Sequence, residues 1–265
     1  MKAPAALALA FALTLPCISA QANDVSGVKL GMSVAEAKAA FTKPAAMKVI
    51  PVQTDKVESG FAGWVNPTQE SMYGTQWGGA PEEFLAFKGN AENIWYIQKN
   101  QRLAKSERYA KQALLDAVRK KFGKESYIYG ELNDRYGTVV VAWEYDQSGK
   151  QYFGPYSNGG RTITGEPLPT PPCRMFDISR IGGPSGDNFL PEPMRIYPPD
   201  NLQRSCGRAH YVEWTHGNGL VENVAIRSID SSAILKAIDG KNARADAENK
   251  QKIQQQMNKG VKPSL

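Results

Sequence analysis

Apolar positions along the chain keep two rhythms, one of 3.6 residues that marks helices and one of two residues that marks strands. Val34, Ala37 and Phe41 fall on one helical face, and Ser33 followed by Glu36 forms a capping box. In that motif the hydroxyl and the carboxylate each take a backbone N–H at the start of the helix. Pro44 ends the pattern, so a short helix is predicted over 33–42. A longer one is predicted over 107–122, where Ala110, Ala113, Leu114, Ala117, Val118 and Phe122 recur. Arg119, Lys120 and Lys121 fill its last turn, where cations oppose the helix dipole, and Gly123 follows as a stop. A third helix is predicted over 231–238.

The two-residue rhythm predicts three hairpins. The first joins 84–87 to 94–97 through Gly89-Asn90, and the second joins 127–132 to 138–145 through residues 133–137. In its second strand Val139, Val141, Trp143 and Tyr145 share a face. The third joins 210–215 to 220–227 at Gly217-Asn218-Gly219. Helix-then-hairpin occurs twice, before Ile97 and before Tyr145. The predicted class is α+β, with antiparallel strands and helices packed on one face.

Other stretches carry no rhythm. Residues 58–81 are rich in glycine and aromatics, with Phe61, Trp64, Tyr73 and Trp77 among Gly60, Gly63, Gly74, Gly78 and Gly79. Residues 151–205 hold ten prolines and read as a long irregular insertion. Residues 241–265 are rich in Ala, Glu, Gln and Lys, with Asp246/Lys250 and Glu248/Lys252 at helical spacing but no core-facing stripe. They are expected to form a polar, basic tail after a single domain over 23–240.

The first 22 residues read as a cleavable signal peptide. Lys2 supplies a positive start, Ala5 to Leu15 is apolar apart from Thr14, and Ala20-Gln21-Ala22 matches the A-x-A cleavage pattern. The apolar run is short of the roughly 20 residues a membrane span needs. Cys17 follows Pro16, a poor fit to a lipid-modification site, so the expected product is released near Ala22 without an anchor. Without the signal, two of the three cysteines remain, Cys173 and Cys206. An even count in an exported chain predicts a disulfide between them, in the periplasm or outside the cell. The formal net charge of +6 drops by one with Lys2, and residues 236–265 hold seven Lys/Arg against three Asp/Glu. A basic balance in that compartment points to anionic envelope material before nucleic acid.

Candidate chemistry is sparse. His210, Glu213 and His216 have a metal-like spacing, but on a strand residues three apart face opposite ways, so no metal site is predicted. Gly182 to Gly186 lacks the Lys-Ser/Thr ending of a phosphate loop. Glu131, Asp134 and Glu144 lie in or beside one hairpin and read as solvated acids. No catalytic residue and no cofactor are assigned. Trp64, Tyr73 and Trp77 are the candidate binding surface, because aromatic faces with polar edges suit a partner protein or a sugar ring.

The string from Val25 to Phe41, with Gly31, Met32 and Ser33 at its centre, resembles the entry segment of small bacterial envelope domains. These are the outer-membrane-assembly lipoproteins of the SmpA/OmlA type and the β-lactamase-inhibitor-protein-like domains. The resemblance implies a capped helix packed on an antiparallel sheet and a protein-binding envelope module. It carries over no partner and no functional residue. The expected function is therefore a non-enzymatic binding or interaction protein of the cell envelope, contacting an envelope protein or glycan. A cell-wall-directed hydrolase using carboxylates is the alternative.

Overall fold

A computed structural model describes residues 24–54, 56–65, 81–130, 132–157, 159, 161–162, 164–173, 194–195 and 203–258. The predicted signal segment, residues 1–22, lies outside this set. The described chain opens with a small hairpin, β1 (Asp24–Val25) and β2 (Val28–Lys29), turning through Ser26 and Gly27. Helix α1 (Val34–Ala40) carries the expected capping box: Ser33 Oγ accepts from Glu36 N–H at 3.2 Å, and Glu36 Oε2 accepts from Ser33 N–H at 2.8 Å. The Ser33 N–H, with the Ser33 hydroxyl donating to the same oxygen at 2.9 Å, holds the Glu36 carboxyl below its ordinary pKa.

Next come β3 (Met47–Thr54), β4 (Val57–Val65), β5 (Glu82–Phe87) and β6 (Tyr96–Arg102). The expected strand at 94–97 starts later because Ile94 is engaged elsewhere: its N–H bonds Met32 O, and its carbonyl accepts from Gly31 N–H, both at 2.8 Å. Helix α2 (Lys111–Phe122) likewise starts four residues late. Lys105–Glu107 form a 3-10 turn, while Tyr109 O and Lys111 N–H bond to Val221 and Gly219 in sheet-like fashion. Then follow β7 (Tyr127–Gly130), β8 (Tyr136–Asp146), the two-residue β9 (Met194–Arg195), β10 (Cys206–Gly217), β11 (Leu220–Asp230) and α3 (Ser231–Asn258). Helix α3 runs unbroken past Ile238, so the expected short helix and the first part of the tail are one element.

The α+β class is present. Strands β3–β8, β10 and β11 pair antiparallel in one large sheet of order β7-β8-β10-β11-β6-β5-β4-β3, and β9 adds in parallel to the edge strand β3. Each half of the sheet is a helix followed by a four-stranded meander: α1 with β3–β6, and α2 with β7, β8, β10 and β11. The two meanders meet at their last strands, β6 and β11, which run antiparallel.

Helices α1 and α2 cover the same face. Beneath α1, Phe41 stacks on Phe84 at 4.2 Å, and Ala37 packs with Phe61, Ala86 and Ile97. Beneath α2, Leu114, Leu115, Val118 and Phe122 meet Val139, Val141, Trp143, Val212 and Trp214, with Tyr145 packed against them as its period predicts. The opposite face is lined by Val52, Leu85, Phe87, Tyr96, Ala209, Tyr211 and Ile229. Two pieces of chain close on it: the start of α3, through Ile234, and the segment after β8, through Tyr152, Tyr156 and Cys173.

Strands β3 and β4 answer to no sequence rhythm. Pro51 interrupts the first, and Gly60 and Gly63 dilute the second. Gly60 is there because strands approach closely: a Cβ at that position would sit 2.1 Å from Ala86 O.

Candidate functional site

Two features of the sheet face opposite α1 and α2 could carry function. The first is a buried polar hub. Glu144, expected to be a solvated hairpin acid, is fully buried near the end of β8. Period two sends Val139, Val141 and Trp143 toward α2, so Glu144 faces the other way, under the segment that follows its own strand. Its Oε1 accepts from the Tyr127 hydroxyl at 2.6 Å and the Tyr211 hydroxyl at 2.8 Å, and its Oε2 accepts from Cys173 N–H at 2.7 Å. A buried carboxylate is tolerable only with such partners. Burial, reinforced by the neighbouring carboxylate, pushes the Tyr127 hydroxyl well above its usual pKa and keeps it a donor.

The disulfide predicted between Cys173 and Cys206 is present beside this hub and is itself buried. Ser231, the first residue of α3, donates from Oγ to Cys206 Sγ at 3.2 Å. Arg204 pairs with Asp239 on the same helix at 2.8 and 3.0 Å, and Ser232 Oγ donates to Gln147 Oε1 at 2.8 Å. Sheet, irregular segment and helix are therefore joined at one point. The chemistry of this cluster is positional: three donors converge on one acid to hold a piece of backbone.

The second feature is a register row across the same face. Lys48, Trp64, Glu83, Asn100, Ala225, Glu213, Val140 and Tyr129 are direct cross-strand partners in turn. Eight strands about 4.8 Å apart make this row roughly 34 Å long. Its middle is polar and linked. Tyr96 donates to Gln98, Gln98 to Asn100 at 3.1 Å, and Asn100 to Glu83 at 3.0 Å. One strand on, Arg227 pairs with Glu213 at 2.6 Å. Glu83, Asn100, Glu213 and Arg227 are half-buried, and Tyr129 is 48 % exposed. Toward the hub the face turns apolar and closed.

Of the three aromatics expected to form a binding surface, Trp64 lies in this row, 7 % exposed, with Lys48 Nζ 5.5 Å from its ring centroid. Tyr73 and Trp77 lie outside the described residues, as do Glu131 and the glycine-rich stretch 182–186. Asp134 is exposed in the β7–β8 turn, at the opposite end of that hairpin from Glu144. Glu213 faces Arg227, while His210 lies on the α2 side, stacked on Phe122 at 5.2 Å with Nδ1 2.8 Å from Ser228 Oγ. His216 is buried near the tip of β10, and neither ring nitrogen has a hydrogen-bond partner among the described residues. Sequence reasoning missed Glu144, Tyr127 and Tyr211. The available signal was the place of Glu144 in the alternation of β8, on the face turned away from Val139, Val141 and Trp143.

No family model, curated protein or solved structure matches the chain. Among the described residues, no helix is long and apolar enough to cross a membrane.

Proposed function

We propose that this chain is an exported, non-enzymatic binding protein of the cell envelope, and that it grips a partner protein with the sheet face opposite α1 and α2. The observation that carries the reading is the row from Lys48 to Tyr129: aromatic rings near both ends, and hydrogen-bonded carboxylate, amide and guanidinium groups in the middle. Aromatics beside fixed polar groups are the composition of protein-binding surfaces. A row of roughly 34 Å also matches the width of a standard interface of about 800 Å² per partner. The paired cysteines suit an oxidising compartment, and the Lys2-to-Ala22 pattern suits delivery there after cleavage.

The test is site-directed photocrosslinking in the intact cell envelope. Probes replace Thr138 and Asn223, exposed one row outward from the Glu213 row, and Lys120, exposed on the far side on α2. A discrete crosslinked protein from positions 138 and 223 and none from 120 supports the reading. Equal crosslinking from all three positions, or none from any, overturns it.

A further inference from the structure

Cys173 reaches Cys206 from 33 residues away in sequence. Two bonds fix the backbone around it: Ser205 Oγ donates to Pro172 O at 2.6 Å, and the sheet contributes Glu144. Its carboxylate is held from two neighbouring strands, by Tyr127 of β7 and Tyr211 of β10, and it takes the Cys173 N–H from across 29 residues. Cys206 begins β10 and pairs with Asp146, two residues beyond Glu144 on β8. The backbone of one cysteine is thus fixed by an acid standing next to the strand register that fixes the other. A hydrogen bond to a buried charge is among the strong ones, and here both the acid and its two tyrosine partners belong to the sheet rather than to the segment being placed.

We propose that Glu144 is the positioning residue for closure of the Cys173–Cys206 disulfide: it docks the Cys173 backbone on the finished sheet and so sets the two sulfurs side by side before the bond forms. Closure then follows ordinary exchange with a small-molecule disulfide such as oxidised glutathione. One cysteine thiolate attacks the oxidant and releases one thiol. The other attacks the mixed disulfide and releases the second, so two electrons pass to the oxidant and the two cysteine protons end on the thiols formed. This assignment does not depend on the binding reading above.

Two measurements test it on the whole chain. In a Cys206→Ala protein no disulfide can form, yet the Cys173 amide should still exchange with solvent at least roughly tenfold more slowly than in the Cys206→Ala/Glu144→Gln protein, since one bond to a charged acceptor is worth about that factor. In glutathione buffers, the equilibrium constant for closing Cys173–Cys206 should fall by about tenfold or more on Glu144→Gln. A purely structural role would lower stability in the oxidised and reduced forms alike and leave that constant unchanged. An unprotected Cys173 amide in the Cys206→Ala protein overturns the proposal, as does an unchanged constant in folded Glu144→Gln protein. If Glu144→Gln does not fold, the protection of Cys173 in the Cys206→Ala protein, measured against its intrinsic exchange rate, decides alone.

Discussion

Glu144 Oε2 and the backbone N–H of Cys173 lie 2.7 Å apart although 29 residues separate them in the chain. Because Oε1 of the same carboxylate receives two tyrosine hydroxyls, removing this one side chain strands three donors in the interior. Glu144→Ala is therefore expected to cost roughly 3 kcal/mol or more, at about 1–3 kcal/mol for each buried group left unpaired. Urea unfolding measures it. A loss below about 1 kcal/mol would mean that the tyrosines and Cys173 find other partners.

The disulfide supplies a second prediction. The two cysteines are bonded to each other, so protein denatured without reductant should show no alkylated Cys173 or Cys206, and two after reduction. Replacing both by serine releases a loop of 33 residues and is expected to lower stability by about 3–4 kcal/mol in the loop-entropy model.

His210 makes stability depend on pH. Burial, with Arg208 and Lys121 nearby, depresses its pKa to about 3, against an ordinary 6.5. The folded state therefore binds this proton less readily than the unfolded state. The contribution is fully present above about pH 6.5 and is lost as pH falls toward 3, at up to about 1.4 kcal/mol per pH unit. A His210→Gln protein, compared with the parent between pH 7 and 4.5, should show a flatter decline in unfolding free energy. Parallel curves would show that His210 does not titrate differently on unfolding.

The exposed length of α3 gives the fourth prediction. From Asp239 to Asn258 every residue of the helix is exposed, including Ile253 at 57 % and Met257 at 70 %. Truncation after Gly240 keeps Ile234, Leu235 and the Asp239–Arg204 pair, and should leave the thermal midpoint nearly unchanged. A fall of several degrees would show that residues 241–258 bury surface against the body.

Much of the fold was legible because its signals are local. The capping box at Ser33 and Glu36, the period of Leu114, Val118 and Phe122, and the alternation of Val139, Val141 and Trp143 each follow from neighbours a few residues away. Strands β3 and β4 were not legible, since Pro51, Gly60 and Gly63 are explained only by what lies across the sheet. The start of α2 was misplaced for the same reason: the competing bonds of Tyr109 and Lys111 come from residues more than a hundred positions later. Glu144 shows the limit for function. Its alternation places it on a known face, but its burial depends on Cys173 and on Tyr211, which no local pattern connects to it.

The joining of the two meanders at β6 and β11 also sets an order of events for a chain that emerges N-terminus first. Strands β3 to β6 can pair among themselves as soon as Arg102 has appeared, yet β6 then presents a bare row of N–H and C=O groups along its outer side. Its partner is the last strand of the sheet, so that row stays open until nearly the whole chain has been delivered. Ile97 and Tyr96 lie on this strand, on opposite faces, which makes the half-finished sheet adhesive as well as incomplete. The arrival of β11 is the event that closes this edge and joins the two meanders into one sheet.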